Sequence, residues 1–583
     1  MIRLSEPSSR LSSHHGFIKT VLNKRIMRRR SNAGDPIPSI RSQFTGAHHA
    51  NPDSPPQARV DPGRSTRPAR SHVIGLGLIG LAAGVAWLLG LGHAAWLWPG
   101  QSDSASIILL GQDMINGNWA LDGWLLPTDT YWLTEVPLYA VAVSIRGVVP
   151  SLIHDVPLLL YLGVIVSGIL VARAGRPGIR GWAGAALTFI LLGMLGPSAA
   201  VTVLHGPAHI STALACLLAF AALRWASARR PAGYLLGFVL LAIALVSDPM
   251  ARAIGLAPIL AAAAIVALRT RAWSRPAAQA ATALGALLAS QAIRVGVQTL
   301  GGYTVGGGGP DLDGPDQWIG TLPQFVSSLV TIFSGQLGSS PSFSDLLAAA
   351  HLAVLFVVAL CVAVALWHLL GRAHDREAWL DGVLALGAGA TVGAFFLSGY
   401  VQDATAIRYL SPGFIFGAVL AGRLAPNLLA SVPRLVLAPA SLLLFSAYLI
   451  TFTVVARSPI PSNPATPLAG WLVQRGLTNG YGAYWDAHIV TLMSSNRVRV
   501  LPVLNGPSGL EPSHWNSTLA WYRTLPDTPV TFVVFEPMAP WGGVDEKSAA
   551  ATFGPPDRSE TLGRYRILIW DHDLAPTLRP AER

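Results

Sequence analysis

Only 12 % of the chain's 583 residues are charged, against roughly 25 % in ordinary soluble domains, while 51 % are apolar and Gly and Pro add 58 and 43 more residues. This excludes a soluble globular enzyme, a coiled coil, a collagen and a wholly disordered chain, and leaves a polytopic membrane protein. The formal net charge of +11 is unevenly spread, so it is no argument for nucleic-acid binding, and Cys216 and Cys361 lie in apolar runs that suit neither a disulfide framework nor a Cys-ligated zinc.

Residues 1–71 are rich in Ser, Pro, Arg and His and carry Arg28-Arg29-Arg30. They read as a disordered basic tail on the cytoplasmic side, suited to anionic lipid. Met27 is an alternative start. No apolar stretch of a cleavable signal peptide precedes Val73.

A helical span needs about 20 apolar residues. Eleven segments qualify as candidates: 73–98, 156–174, 181–201, 208–225, 233–248, 253–269, 277–296, 346–370, 380–399, 411–426 and 435–456. The tenth is short and contains Arg423. With the N-terminus inside, every inner loop is basic, from Arg173, Arg176 and Arg180 through to Arg423 and Arg434. The other loops hold most of the acid, including Asp103, Asp113, Asp122, Asp129, Glu135, Asp248 and Asp311. An odd number of spans puts the C-terminus outside.

Two long outer loops follow from this count, 99–155 and 297–345. In the first, Ile107, Leu110 and Met114 recur at helical spacing, so 104–116 is expected as an interface-lying helix. Pro137-Leu138-Tyr139 starts a second helix that ends near Pro150. In the second loop, Gly306–Gly309 has the glycines of a phosphate loop but lacks its Gly-Lys-Ser/Thr ending, and reads as flexible. From residue 457 the chain is expected to form a small extracytoplasmic α/β domain. Leu468–Arg475 and Asp486–Ser494 look helical. Arg497–Leu504, Val530–Glu536 and Tyr565–Trp570 look like strands. The expected fold is thus an α-helical polytopic membrane domain over 72–456 with an outer α/β domain over 457–583.

The first outer loop carries Asp103, then Gly117-Asn118-Trp119, then Glu135-Val136-Pro137-Leu138-Tyr139. In order and spacing this resembles the GT-C class of integral-membrane glycosyltransferases. The likeness is to the branch holding protein O-mannosyltransferases and lipid A aminoarabinose transferases. The family's paired acidic residues stand here as Asp103-Ser104, and its double proline as Val136-Pro137. The resemblance implies transfer of a sugar from a polyprenyl-phosphate-linked donor in the outer leaflet to a glycan, lipid or protein acceptor, with membrane lipid around the site. It also implies that Asp103 is the carboxylate that takes the acceptor's proton. Asp103 equally fits a helix N-cap.

A departing phosphate needs positive charge, which Arg supplies well. Arg146, Arg252, Arg294 and Arg408 stand at outer helix ends, against the inside bias. Arg294 and Arg408 are the candidate phosphate contacts, and Arg408-Tyr409, continuing to Pro412, also looks like this class; pairing with an acid or a headgroup is the other reading. Glu135, His205, His209 and Asp248 are candidate acceptor or donor contacts. Glu135 could instead cap the helix after it or bind a metal, and Asp248 could end its helix. Asp113, Asp122 and Asp129 read as solvated loop acids. Trp119, Trp124 and Trp132 could stack on sugar or anchor at the interface. His205 and His209 have a spacing that suits metal ligation, but no third ligand is evident nearby. No cofactor is expected, and a divalent metal has no support. Two other functions remain open: a transporter or flippase for a lipid-linked saccharide, and a non-catalytic envelope protein of the same fold.

Overall fold

In the computed structural model the described residues are 70–307, 312–338, 342–372, 375–523, 528–538 and 543–578. The basic tail up to residue 69, half of Gly306–Gly309, and Asp311 lie outside them. The chain divides into two units, 1–73 and 74–583. The membrane helices and the C-terminal sheet belong to the second.

The order begins with α1 (Arg70–Ala95), α2 (Ser102–Ile115), β1 (Trp124–Leu126), α3 (Val136–Arg146) and α4 (Leu152–Arg173). Next come α5 (Gly178–Gly193), α6 (Pro197–Val203), α7 (Ile210–Trp225) and α8 (Ala232–Ser247). A π turn, Arg252–Leu256, leads into α9 (Ala257–Thr270), followed by α10 (Ser274–Thr299) and β2 (Thr304–Val305). Then come α11 (Pro315–Ile332), α12 (Phe343–Gly371), α13 (Arg376–Leu397), α14 (Ser411–Leu428) and α15 (Arg434–Val455).

All eleven apolar segments are helical, but they are not equal. Among the described residues eight helices are long and apolar enough to cross a membrane, or nine if α5 and α6, bent by 82°, count as one broken span. The two others, α7 and α8, have 16 residues each. Such a helix rises about 24 Å, short of the ~30 Å hydrocarbon core. The expected eleven spans are therefore eight or nine by length among the described residues, because apolar composition alone does not separate a full span from a shorter helix. This is a multi-pass membrane protein.

Arg423 lies inside α14, not in a loop, and is fully buried. It ion-pairs with Asp381 and, at 2.8 Å, with Glu377, and its other amine donates to the carbonyls of Val171 and Ala174 at 2.6 and 3.1 Å. Arg176 joins Asp381 at 2.8 Å, and Arg224 pairs with Glu377. A charge inside an apolar helix is tolerated here because carboxylates and helix-end carbonyls satisfy it.

The C-terminal part holds α16 (Ala465–Gln474), β3 (Asn479–Ala483), α17 (Tyr484–Met493), β4 (Arg499–Gly506), β5 (Gly509–Pro512) and β6 (Ser517–Thr518). It continues with α18 (Ala520–Arg523), β7 (Phe532–Phe535), α19 (Glu546–Phe553), β8 (Arg558–Leu562) and β9 (Tyr565–Ile569). Six strands form one sheet in the order β5-β4-β3-β7-β9-β8, parallel at the centre and antiparallel at both edges. The two expected helices and three expected strands are present. The central strand β3, Asn-Gly-Tyr-Gly-Ala, is an addition that β-propensity does not suggest. Its glycines are steric: a Cβ on Gly480 would lie 2.3 Å from the Phe532 ring.

A second, three-stranded sheet takes β1 from the 99–155 segment, β2 from 297–345 and β6 from the C-terminal domain, in the order β2-β1-β6. Leu126 pairs with Val305, and Trp124 with Thr518. Below it α2 and α3 meet closely, since a Cβ on Gly111 would lie 2.8 Å from the backbone nitrogen of Ala140. The amphipathic α11 stands within the segment read as a long loop.

Candidate active site

A cavity of about 480 Å³ opens where α2, the 127–131 loop, the α6–α7 connection and the C-terminal end of α13 converge beneath the C-terminal domain. Asp103, His205, His209, Asp248, Arg408 and Tyr409 all line it. Glu135 and Arg294 do not. The sequence thus supplied six of the residues around one space and two that stand apart from it.

Asp103 sits in the first turn of α2, where the helix dipole favours a carboxylate. It does not cap the helix, since the N-cap position is Gln101 and makes no capping bond. The C-terminal domain holds Asp103 instead. The Tyr484 hydroxyl donates to Oδ1 at 2.6 Å, and Gln101 donates to Oδ2 at 3.3 Å. Asn516 braces this contact, donating to the Tyr484 hydroxyl at 3.1 Å and to Ser106 Oγ at 2.8 Å. Ser102 donates to the Trp485 carbonyl at 2.8 Å. Burial raises the Asp103 pKa above the usual carboxylate range, while Tyr484, the Arg408 charge and Gln101 pull it back. Oδ2 retains lone-pair capacity for a substrate hydroxyl.

Arg408 faces Asp103 with no ion pair between them, although each feels the other's charge. Its guanidinium makes one backbone contact, to Thr405 O at 3.3 Å, and lies 5.2 Å from the Tyr409 ring centre. Tyr409 stacks on Tyr400, with centroids 4.8 Å apart and planes within 8°. Asp403 bonds Thr405 and leaves Arg408 free of it.

His209 and Asp248 form a pair at the cavity wall. His209 Nδ1 lies 2.7 Å from Asp248 Oδ2, the Thr212 hydroxyl donates to the same oxygen at 2.6 Å, and Met250 N donates to Oδ1 at 2.8 Å. The Tyr131 hydroxyl is 3.2 Å from the same Nδ1. His209 and Tyr131 both hold left-handed backbone, φ 59° and 50°. Non-glycine residues there cost about 1–3 kcal/mol and cluster at functional sites. His205 stacks on Trp98 at 4.0 Å, and burial pushes its imidazole down to about 3, helped by Arg408. Among the described residues no three His, Cys, Asp or Glu side chains cluster as a metal site.

Glu135 is buried behind the wall, accepting from Ser211 at 2.7 Å, and burial pushes it up to about 7. It stands at the N-cap position of α3 without a side-chain capping bond. Arg294 is half-buried on α10, near Tyr303. Trp124 is fully buried and donates to Asp113 at 2.7 Å, so it offers no face to a sugar.

Two solved structures of ArnT from Cupriavidus metallidurans are similar to the chain. The apo structure matches with a TM-score of 0.52 at 14 % identity, covering 88 % of this chain and 100 % of that one. The structure bound to undecaprenyl phosphate matches with 0.52 and 14 %, covering 84 % and 98 %. The chain shares the fold of ArnT over most of its length. No protein-family model matches it, and no curated protein does.

Within this ArnT-like fold, several residues in or beside the cavity escaped the sequence. Asp129, read as a loop acid, lines the cavity, and burial raises its pKa. Tyr131 stands four residues before Glu135 and signals nothing until its hydroxyl is seen beside His209. Tyr484 and Asn516 lie about 400 residues from Asp103. The one local hint for Tyr484 is an aromatic pair, Tyr484-Trp485, opening a helix straight after a glycine-rich strand.

Proposed function

We propose that the chain is a glycosyltransferase that moves a sugar from a polyprenyl-phosphate-linked donor to a glycan, lipid or protein acceptor at the outer face of a bacterial-type inner membrane. The observation that carries this reading is that Asp103 and Arg408 line one cavity without neutralising each other. The ArnT-like fold supports the reaction class, and the ArnT structure bound to undecaprenyl phosphate supports the donor class. Basic residues in the loops opposite the cavity support the orientation.

The residues divide the work by charge. Asp103 takes the proton as the acceptor oxygen bonds the anomeric carbon, a contribution of typically 10²–10⁴ in rate. The bond from that carbon to the phosphate oxygen breaks, and its electron pair leaves on the phosphate. Arg408 stabilises the charge that develops there. The Tyr400–Tyr409 stack and Trp485 supply faces for sugar or prenyl carbons.

The test is lipid and glycan profiling of a deletion strain, rescued with the wild-type gene or with Asp103→Asn. Loss of one modification, restored by wild type and not by Asp103→Asn at equal protein level, is the expected result. Full rescue by Asp103→Asn would remove the transfer reading and favour transport or a structural role, neither of which needs a base.

A further inference from the structure

α2 has two working faces. Asp103, Ser106, Ile107 and Leu110 face the cavity that holds Arg408. Leu109, Gln112, Asp113 and Asn116 recur on another face, roughly 120° around the helix. They line a separate cavity of about 500 Å³ between α2 and the start of β4. The size lies within the range of roughly 300–1,000 Å³ usual for small-molecule sites.

Several polar side chains of this second cavity, among them Asn118, Asn479, Thr491 and Arg497, are bonded within the protein, while four others keep open capacity. Among the described residues the side chains of Gln112 and Asn116 make no hydrogen bond to protein. Asp113 uses Oδ2 to accept from Trp124 at 2.7 Å and Asn118 at 2.8 Å, and its Oδ1 is open. The Arg499 guanidinium lies 5.4 Å from the Trp521 ring centre and forms no ion pair among the described residues. Trp521 is itself fixed edge-on against Trp124, with centroids 4.9 Å apart. Open donors and acceptors of Gln112, Asp113, Asn116 and Arg499 therefore line one space.

The charges select the ligand. Arg497 and Arg499 are offset by Asp113 and Asp122, all four lining the cavity. An anion would meet two carboxylates and a cation two guanidinium groups. A guanidinium only donates and a carboxylate only accepts, whereas an amide does both. A neutral ligand with several hydroxyls, each able to donate and accept, satisfies all of them together.

We infer that this cavity is a second ligand site, which takes a neutral saccharide unit on the side of α2 away from Asp103. Its occupancy does not depend on whether the first cavity is catalytic. The experiment uses the full chain in nanodiscs free of maltoside detergent, with maltotriose as the probe and saturation-transfer NMR as the readout. Transfer to maltotriose is expected, together with roughly tenfold weaker binding for Gln112→Ala/Asn116→Ala, the loss of about two neutral hydrogen bonds. Arg499→Met should weaken binding as well. Asp103→Asn should leave it unchanged, and excess inorganic phosphate should not compete. Gln112, Asn116 and Arg499 are half-exposed or cavity-facing, and melting curves confirm folding of each variant. Absence of transfer in the wild type overturns the inference, as do transfer indifferent to the Gln112/Asn116 and Arg499 changes, competition by phosphate, or loss of binding in Asp103→Asn.

Discussion

The two ends of α13 treat charge in opposite ways. At its start, Glu377 and Asp381 are locked to Arg423, Arg224 and Arg176. At its far end, Thr391, Phe395 and Ser398 border a cavity where Arg408 and Asp103 face each other unpaired. In the first arrangement every guanidinium has a carboxylate partner. The second leaves a guanidinium and a carboxylate with unused hydrogen-bonding capacity. Charges that are mutually satisfied hold helices together, and charges kept apart across a space remain available for what enters it.

The contrast can be broken first at Arg423. Arg423→Met leaves Asp381 to Arg176 alone and Glu377 to Arg224 alone, and takes the donor from the carbonyls of Val171 and Ala174; breaking buried pairs of this kind costs up to about 3–5 kcal/mol. Thermal melting in detergent should show a large drop, or the variant should fail to accumulate; an unchanged melting curve would mean that the network is not a fastening. At the other end, Arg408→Ala should leave melting within about 1 kcal/mol of wild type. It should weaken binding of undecaprenyl phosphate roughly tenfold to a hundredfold, the loss of charge-assisted hydrogen bonds. Equal losses of stability in both variants would erase the distinction between the two ends.

A finer test uses Tyr484. Its hydroxyl stabilises the charged form of Asp103 and so opposes the upward push of burial. Tyr484→Phe removes that opposition and raises the carboxyl pKa further. A base works only when deprotonated, so the acid limb of the transfer rate should move to higher pH, with little change at alkaline pH. A uniform loss at every pH would assign Tyr484 to packing alone. The smallest effect is expected at Arg294. It lies outside the cavity lining, so Arg294→Ala should leave undecaprenyl phosphate binding within about twofold; a loss as large as that of Arg408→Ala would make it a phosphate ligand after all.

The helices were legible because apolar bulk is a local property, and every apolar segment became one. Their lengths were less so: α7 and α8 have the composition of spans but only 16 residues each. Arg423 weakened the reading of its own helix, although the partners that make it acceptable lie on other helices. In the site, Asp103 and Arg408 were legible because residue type and position at a helix end limit what a charge can do. Arg294 met the same criterion, but helix end alone does not say which way a residue on α10 turns. Tyr484 and Asn516 were beyond reach, since they matter only through contacts that the folded C-terminal domain makes with α2.

That contact also has a consequence in time. Tyr484 follows Asp103 by 381 residues, and synthesis proceeds at about 5–20 residues per second, so the carboxylate waits roughly 20–80 s for the hydroxyl that positions it. β1 waits similarly for Thr518 of β6. The helices can enter the bilayer well before the sheet domain exists to close over them. During biogenesis the Asp103–Tyr484 contact is therefore made late, and a chain interrupted before residue 484 would have its membrane helices but lack the hydroxyl that holds Asp103.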